Sequence, residues 1–278
     1  MGGFNTVLGG FPTWVHCHGS DGEDVVVALH SLGLDGASFD SVAKRLLTQR
    51  RLLVLAPDLR GHGRSRAPAA SIDLDALADD VVELARRQHP RRVHLFGTSM
   101  GSVVARLAAA RDPRLLKSVT LAASPPYAAP AVARRGDGVL VDGMASVIND
   151  TLARWFSPHV REIDDPGVRY AARTLIDMDP RAWAASWEAM SRFTTPAALS
   201  HVPVACIAGA LDESTPPAAV QQTAGLAGPH ASMVVIPGAG HQINLEQPEA
   251  VADVLCQVIE RSEQICHDRD EGADIGSH

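Results

Sequence analysis

Ser99 lies between two glycines in the stretch LFGTSMGSVV, residues 95–104, and is the first candidate for chemistry in this chain. A serine hydroxyl can attack a carbonyl carbon once a neighbouring base removes its proton. The pattern Gly-x-Ser-x-Gly is not specific by itself, since about one chain in eight of this composition contains it by chance. A serine in such a turn can also simply cap the next helix. The residues around Ser99 must therefore decide between these alternatives.

His241 and Asp212 are the candidates for the base and the acid that such a serine needs. The chain has 12 histidines, so the position of a histidine matters more than its presence. His241 follows an apolar run in VVIPGAGHQINLEQPE, and Asp212 follows another in GALDESTPP, with Glu213 as the second choice of acid. An acid beside the histidine fixes its tautomer and stabilises the imidazolium. The alternative for Asp212 is a turn or capping residue.

Acyl transfer also needs amide donors for the negative charge that develops on the carbonyl oxygen. One predicted donor is the amide of Met100, directly after the serine. The other is expected in HSLGLDG, residues 30–36, where the Leu32 amide is the first choice and Ser31 the next. Ser31 is also predicted to contact the substrate. Two glycines keep this segment compact, although an ordinary flexible loop has a similar composition.

Apolar runs rich in β-branched residues are the elements that must position these side chains. Such continuous runs indicate strands buried on both faces. We predict strands at 24–30, 51–61, 92–97, 117–124, 202–210 and 232–238. We predict helices at 38–49, 72–88, 100–111, 217–227 and 246–264. The first residues indicate one strand and a turn. The alternation predicts an α/β fold with a mostly parallel, doubly wound sheet, in which Ser99 lies at a sharp strand-to-helix turn.

The alternation stops after residue 124, where a loop-like stretch precedes three helical patterns. These patterns lie near 141–156, 166–177 and 180–193. We therefore predict a helical lid inserted into the sheet domain. The predicted division is residues 1–124 and 196–266 for the core, 125–195 for the lid, and 267–278 for a polar tail that we expect to be disordered.

Aromatic residues are concentrated in the predicted lid, although they form only 4% of the chain. They are Trp155, Phe156, Trp183 and Trp187. They could form the wall of a substrate pocket that excludes water from an apolar or planar acyl group. They could instead pack the lid onto the core, because Trp183 and Trp187 are one helical turn apart. For Arg154, Arg169 and Arg173, we expect solvated helix faces rather than binding of a substrate carboxylate.

The composition argues against several classes of protein. Hydrophobic residues form 46% of the chain, and the net charge is −7 with no basic run, so nucleic acid is not expected as a partner. No stretch reaches the roughly 18 apolar residues of a spanning helix, and no membrane association is expected. The four cysteines have no metal-binding spacing and indicate a reducing, cytoplasmic compartment. We expect neither a metal nor an organic cofactor, and the sequence leaves a homo-oligomer open.

The chain order Ser99, Asp212, His241, each after a strand, resembles the α/β-hydrolase superfamily over residues 1–265. The segment DLRGHGRS, residues 58–65, looks like the D-x-R-G-x-G-x-S loop of that superfamily. Branches that use an aspartate nucleophile are disfavoured, because the turn holds a serine. The resemblance implies the α/β-hydrolase fold, a Ser-His-Asp triad and no cofactor.

Within the superfamily, several segments are similar to the 3-oxoadipate enol-lactonase group. They are LHSLG, GTSMG, TLARWFSP, MDPRAWAASWEAM, GALDESTPP and AGHQINLEQPE. The chain departs from that group at Ser102, where the group usually has glycine, and at Trp183 and Trp187, where it has smaller or different residues. Because the lid selects the substrate, these departures bear on the substrate rather than on the mechanism.

The motifs together predict a serine hydrolase that cleaves a carboxylic ester or lactone, a small-molecule substrate, through an acyl-enzyme. The first alternative is a C–C bond hydrolase or a cofactor-free lyase that uses the same three residues. The second alternative is a ligand receptor built on a hydrolase scaffold. The sequence favours the hydrolase, because all the parts needed for acyl transfer are present in the expected order.

Overall fold

The computed structural model describes residues 2–20, 22–195 and 197–274, with side chains as far as residue 265. Within these residues, eight strands form one sheet in the order β1-β2-β4-β3-β5-β6-β7-β8. The strands are β1 (Gly2–Leu8), β2 (Phe11–Gly19), β3 (Asp24–Leu29), β4 (Leu53–Pro57), β5 (Arg92–Thr98), β6 (Leu116–Ala122), β7 (Val204–Gly209) and β8 (Ala231–Ile236). Strands β3 to β8 are parallel, which confirms the predicted mostly parallel α/β sheet.

The chain begins with an antiparallel hairpin rather than the single strand predicted. β1 pairs with β2, and β2 pairs antiparallel with β4. The turn between β1 and β2 is Gly9–Gly10, and both glycines have positive φ, at 52° and 84°. Glycine adopts this conformation without the strain that a side chain would cause. β1 is mostly exposed, so its apolar signal in the sequence is weak.

Helices cover both faces of the sheet. The helices outside the insertion are α1 (Asp40–Gln49), α2 (Leu74–Arg86), α3 (Met100–Arg111), α9 (Pro217–Ala227), α10 (Ile243–Glu246) and α11 (Pro248–Asp274). The side chains of β3 alternate between two cores: Val25 and Val27 pack with α2, α3 and α9, whereas Val26 and Ala28 pack with α1 and α11. A strand buried on both faces needs apolar side chains on both, which explains the continuous run VVVAL that follows Asp24.

Helices occupy the chain between β6 and β7. They are a 3-10 helix (Pro130–Gly136), α4 (Val139–Asp142), α5 (Ala145–Trp155), α6 (Pro158–Glu162), α7 (Pro166–Ile176) and α8 (Pro180–Met190). No strand interrupts residues 125–195. Several of these helices begin with proline at a first-turn position, where the missing N–H has no helical partner to lose. We call residues 125–195 the insertion; the division into core and lid stays a prediction.

The end of the chain differs from the expected disordered tail. The backbone of α11 continues as helix to Asp274, so the expectation fails for residues 267–274, and residues 275–278 lie outside the described part. Extending a formed helix by one residue needs far less ordering than starting one. None of the described helices is long and apolar enough to cross a membrane.

A buried hydrogen-bonded chain of polar residues lies at the amino ends of the parallel strands. His94 Nε2 is 3.1 Å from Asp24 Oδ1, and His94 Nδ1 is 2.8 Å from Ser118 Oγ. Arg92 donates two hydrogen bonds to the same aspartate, at 2.6 and 2.8 Å. All of Ser118, His94 and Asp24 are buried. Paired in this way, the polar groups are satisfied inside the core.

Candidate active site

Ser99 occupies a strained turn between β5 and α3. Its φ of 53° and ψ of −116° lie outside the regions that side chains favour. The turn is so tight that a Cβ on Gly97 would lie 2.3 Å from the carbonyl oxygen of Gly101, and a Cβ on Gly101 would lie 2.0 Å from that of Leu29. Both glycines are therefore required by close backbone approach. The turn leaves Ser99 partly exposed, while its neighbours Thr98 and Met100 are buried.

His241 joins Ser99 to Asp212. The Nε2 atom of His241 is 2.9 Å from Ser99 Oγ, and its Nδ1 atom is 2.8 Å from Asp212 Oδ2. A carboxylate can only accept, so Nδ1–H donates to Asp212 and Nε2 is left to accept the Ser99 proton. This is the arrangement a serine needs for activation, because the base is within hydrogen-bond reach and is itself oriented by an acid. The structure thus brings together the three side chains predicted from the sequence.

Asp212 is held by the backbone that follows it. Its Oδ1 atom accepts hydrogen bonds from the amides of Ser214 and Thr215, both at 2.8 Å. The Oδ2 atom is then directed at His241. Glu213, the second choice of acid, is exposed. A short Asx-type turn after β7 therefore distinguishes the two neighbouring acids.

The insertion helps to hold the loop that carries His241. The carbonyl oxygen of Trp155, at the end of α5, accepts hydrogen bonds from the amides of His241 at 2.8 Å and Gln242 at 3.1 Å. Glu246 accepts from the Gly240 amide at 2.9 Å and from the Ser157 amide at 3.3 Å. Burial raises the pKa of Glu246, while the hydrogen bonds from these amides lower it. The last turn of α5 and the His241 loop are thus joined by four backbone amides.

Two backbone amides, one directly after Ser99 and one in the loop after β3, have no acceptor within the described protein. They belong to Leu32 and Met100, the two donors predicted for a developing oxyanion. Leu32 lies in a β-turn in which the Leu34 amide donates to the Ser31 carbonyl at 3.1 Å, and Gly33 has φ of 85°. Buried amides are almost always paired, so amides left open in this way are suited to receive a ligand oxygen.

A cavity of about 120 Å³ lies over Ser99 and His241. Of the predicted substrate-binding residues, Trp155 and Trp187 line it. Val132, Met190 and Phe193 add apolar surface to its wall. The cavity is therefore mostly apolar and small, and Ser99 lies on its lining.

The other predicted substrate-binding residues lie elsewhere. Trp183 is fully buried, donates Nε1–H to the Arg135 carbonyl at 2.9 Å, and packs beneath the Gly33 turn, where a glycine Cβ would lie 2.8 Å from its ring. Phe156 is buried in the hydrophobic core. Ser31 is buried and donates to Gln242 Oε1 at 3.1 Å. These three residues support the site rather than line the cavity, because each has an internal partner.

Sequence reasoning missed several residues that line the cavity. Arg135 and Tyr127 come from the stretch interpreted as a loop. Its sequence has no periodicity that would show which side chains face the cavity. Met190 lies three residues after Trp187 along α8, so helical spacing could have identified it. Ser214 and Thr215 belong to the turn that holds Asp212.

His16, Asp35 and Asp58 form the one group in the described residues whose atoms could together hold a metal ion. The Asp58 oxygens already accept from His16 at 3.0 Å and from the amides of Gly36 and Arg64. Asp35 accepts from the Tyr170 hydroxyl at 2.7 Å. Burial raises the pKa of Asp35, although the hydrogen bond from Tyr170 opposes this. The oxygens therefore serve as internal acceptors that join the loops after β3 and β4.

Comparison with known proteins places this geometry in a family. The model of the Alpha/beta hydrolase family matches residues 26–254. The chain belongs to this family. It is accordingly a hydrolase, and the resemblance predicted from the motifs is confirmed.

Among its curated relatives are two 3-oxoadipate enol-lactonases of Acinetobacter baylyi. One is 27% identical over 77% of this chain and 80% of the relative, and the other is 25% identical over 72% and 76%. The crystal structure of the enol-lactonase from Burkholderia xenovorans superimposes with a TM-score of 0.84 at 24% identity, covering 92% of this chain and 99% of that one. The chain is thus similar to enol-lactonases in sequence and shares the fold of the solved one.

Proposed function

We propose that this hydrolase cleaves a carboxylic ester or lactone through an acyl-enzyme formed on Ser99. The observation that carries the proposal is the continuous hydrogen-bonded path from Ser99 through His241 to Asp212, beside two open amides and a small cavity. The sequence similarity to enol-lactonases supports an ester or lactone as substrate.

The first half of the reaction forms the acyl-enzyme. Ser99 Oγ attacks the scissile carbonyl carbon while His241 Nε2 takes its proton. The carbonyl oxygen becomes an oxyanion and accepts hydrogen bonds from the Leu32 and Met100 amides. His241 then returns the proton to the leaving alkoxide oxygen as the carbon–oxygen bond breaks. In a lactone, this oxygen stays attached to the acyl chain.

The second half uses water. His241 removes a proton from a water molecule, whose oxygen attacks the acyl carbon and displaces Ser99 Oγ, which regains its proton. Asp212 stabilises the imidazolium in both halves. We propose that the insertion acts as a lid, because Trp155 and Trp187 close the cavity and exclude bulk water from the acyl-enzyme.

A fluorophosphonate probe tests the proposed nucleophile directly. We expect one covalent adduct, and mass spectrometry of the labelled peptide should locate it at Ser99. Ser99→Ala should lose the adduct and lower ester turnover by on the order of 10³-fold or more. Ser20→Ala is the matched control, because Ser20 is exposed in the loop between β2 and β3.

Product analysis separates hydrolysis from other chemistry at the same residues. In ¹⁸O-labelled water, hydrolysis places the label in the carboxylic acid, whereas elimination does not. Wild-type turnover by Ser99→Ala on a panel of small esters and lactones, or products without the label, would contradict the proposal.

A further inference from the structure

Gln242, the residue directly after His241, has a fully buried side chain that the proposed reaction does not use. Its Oε1 atom accepts a hydrogen bond from Ser31 Oγ at 3.1 Å. Ser31 is buried as well and lies in the turn after β3 that presents the Leu32 amide. A side-chain hydrogen bond therefore connects the loop that carries the base with the turn that carries an oxyanion donor.

The amide of Gln242 is not explained by core packing. Its Nε2 atom is buried and has no hydrogen-bond partner within the described residues. An unpaired buried donor lowers the stability of the folded protein, and an apolar side chain of the same length would avoid that loss. The protein thus keeps an amide whose nitrogen destabilises the core and whose oxygen binds Ser31. An unsatisfied polar group in a native core needs such a specific reason.

Ser31 controls the direction of the Leu32 amide. The Ser31 carbonyl and the Leu32 N–H belong to one planar trans peptide, so they point in opposite directions. The carbonyl oxygen accepts from His30 Nδ1–H at 2.8 Å and from the Leu34 amide at 3.1 Å, which fixes the rotation of that peptide. The hydrogen bond from the Ser31 hydroxyl to Gln242 fixes the α-carbon from which the peptide starts. The Leu32 N–H is therefore aimed by the contacts of the residue before it.

The backbone of Gln242 gives its side chain a fixed starting point. Its amide donates to the Trp155 carbonyl at the end of α5, at 3.1 Å. Its carbonyl accepts from the amides of Leu245 at 2.9 Å and Glu246 at 3.0 Å. A supporting residue holds a reactive group precisely only if it is itself held, and Gln242 meets this condition on both sides of its peptide.

We propose that Gln242 is a positioning residue that, through Ser31, keeps the Leu32 amide directed at the oxyanion. Gln242 does not line the cavity over Ser99, so it acts through the turn rather than on the substrate. The Leu32 amide meets a charge that develops only during the reaction, so Gln242 supports kcat more than KM. This inference rests on the proposed hydrolysis of an ester or lactone at Ser99.

Gln242→Met tests the proposal, because it keeps the length of the side chain and removes the acceptor for Ser31. We expect kcat for a small ester to fall by about 10- to 100-fold, less than the roughly 10²- to 10³-fold loss when an oxyanion donor is removed outright. KM should change little. A trifluoromethyl ketone forms an oxyanion when Ser99 Oγ adds to its carbonyl carbon and the serine proton passes to His241. Its affinity should fall by the same factor as kcat.

Ser31→Ala breaks the same hydrogen bond from the other side and should reproduce the loss of kcat. The double variant Ser31→Ala/Gln242→Met should be no slower than either single variant, because both changes remove one interaction. It should also melt at a higher temperature than Gln242→Met, since it no longer buries an unpaired Ser31 hydroxyl. Stability restored without activity distinguishes positioning from packing. Gln222→Met is the matched control, because Gln222 is exposed in α9, and it should keep wild-type kcat.

The outcomes separate this inference from the proposed function. Wild-type kcat in Gln242→Met or in Ser31→Ala would overturn the role of Gln242 and leave the esterase proposal standing. Losses that multiply in the double variant would also overturn it, because the two residues would then act separately. A wild-type protein that neither hydrolyses small esters and lactones nor binds the ketone would overturn the proposed function, and this inference with it.

Discussion

Asp212 divides its two carboxylate oxygens between two tasks. Oδ1 accepts from two backbone amides, and Oδ2 accepts from His241. The first task fixes the side chain, and the second fixes which nitrogen of His241 carries the proton. The residue therefore controls a tautomer as well as a charge, and the two can be separated by substitution.

Asp212→Asn should lower kcat by about 10⁴-fold while leaving the fold intact. The amide oxygen can still accept from Ser214 and Thr215, so the amide nitrogen faces His241 and donates to Nδ1. His241 Nε2 then carries the proton and cannot accept another from Ser99. Steady-state kinetics and thermal melting measure the two effects separately.

Glu213→Gln is the control for that substitution, because it makes the same chemical change on the exposed neighbour. It should keep wild-type activity. A comparable loss in both variants would mean that general charge near the loop, rather than the tautomer of His241, limits the reaction.

The sequence located the three polar side chains of the site better than its aromatic wall. Ser99, Asp212 and His241 each follow a strand, and parallel strands bring their carboxyl ends to one edge. Trp183 and Trp187 share one face of α8, yet only Trp187 lines the cavity. The spacing of residues along a helix gives a common direction, but it does not say which residue lies deeper. That depends on the Gly33 turn, on which Trp183 packs.

At the scale of elements, the turn between β5 and α3 stores the strain that exposes Ser99. Its two glycines lie against backbone atoms, which cannot move aside as a flexible side chain could. Nearby, the β-turn after β3 presents the Leu32 amide. The spacing between Ser99 and the loop that carries the Leu32 amide is thus set by backbone packing between the end of β3 and α3.

Gly101→Ala should destabilise the protein by on the order of 3 kcal/mol, because its Cβ would overlap the Leu29 carbonyl. The displacement of α3 should also reduce labelling of Ser99 by the fluorophosphonate. Urea unfolding and the labelling rate measure these two effects.

Gly225→Ala in α9 provides the opposite case, since no atom lies within 4 Å of the added Cβ. It should stabilise the protein by about 0.5–1 kcal/mol, as expected for alanine in an open helical position. Equal losses in both variants would show that close backbone contact is not the reason for glycine at position 101.

The elements themselves were largely predictable, for a physical reason. Strands such as β3 and β7 are buried on both faces and are apolar apart from Asp24 at the start of β3, so they are visible as continuous runs. The β1–β2 hairpin is partly exposed and carries no such signal. The end of α11 was also missed, because a polar helix without an apolar stripe resembles a disordered tail.

At the scale of the whole molecule, two buried histidines make stability depend on pH. His30 and His62 have rings 5.0 Å apart beneath the loops after β3 and β4. Burial lowers the pKa of His30 to about 4. Burial and the neighbouring His30 together lower the pKa of His62 to about 3. Both side chains are therefore neutral in the folded protein at pH values at which an unfolded chain is protonated.

Stability should fall as the pH drops below about 6.5, because His30 and His62 then bind protons in the unfolded chain but not in the folded protein. The loss should continue until the folded pKa values near 4 and 3 are reached. Between pH 7 and 4.5, His62→Phe should lose about 2 kcal/mol less free energy of unfolding than wild type. Urea unfolding at the two pH values gives this difference.

His230→Phe is the control, because His230 is exposed and should retain the wild-type pH dependence. Parallel behaviour of His62→Phe and wild type across this range would assign the acid sensitivity to other groups.

Within the part of the chain that the structure describes, serine, histidine and aspartate form a hydrogen-bonded chain twice, once at each end of the parallel strands. The two histidines turn opposite ring nitrogens toward their aspartates. Asp212 pairs with Nδ1 of His241, whereas Asp24 pairs with Nε2 of His94. Ser118 is buried near the amino end of β6, and the guanidinium of Arg92 neutralises the charge of Asp24. A structural search that used only three residue types and two distances would accept both. Adding strand polarity and open amide donors to the search would retain Ser99 and reject Ser118.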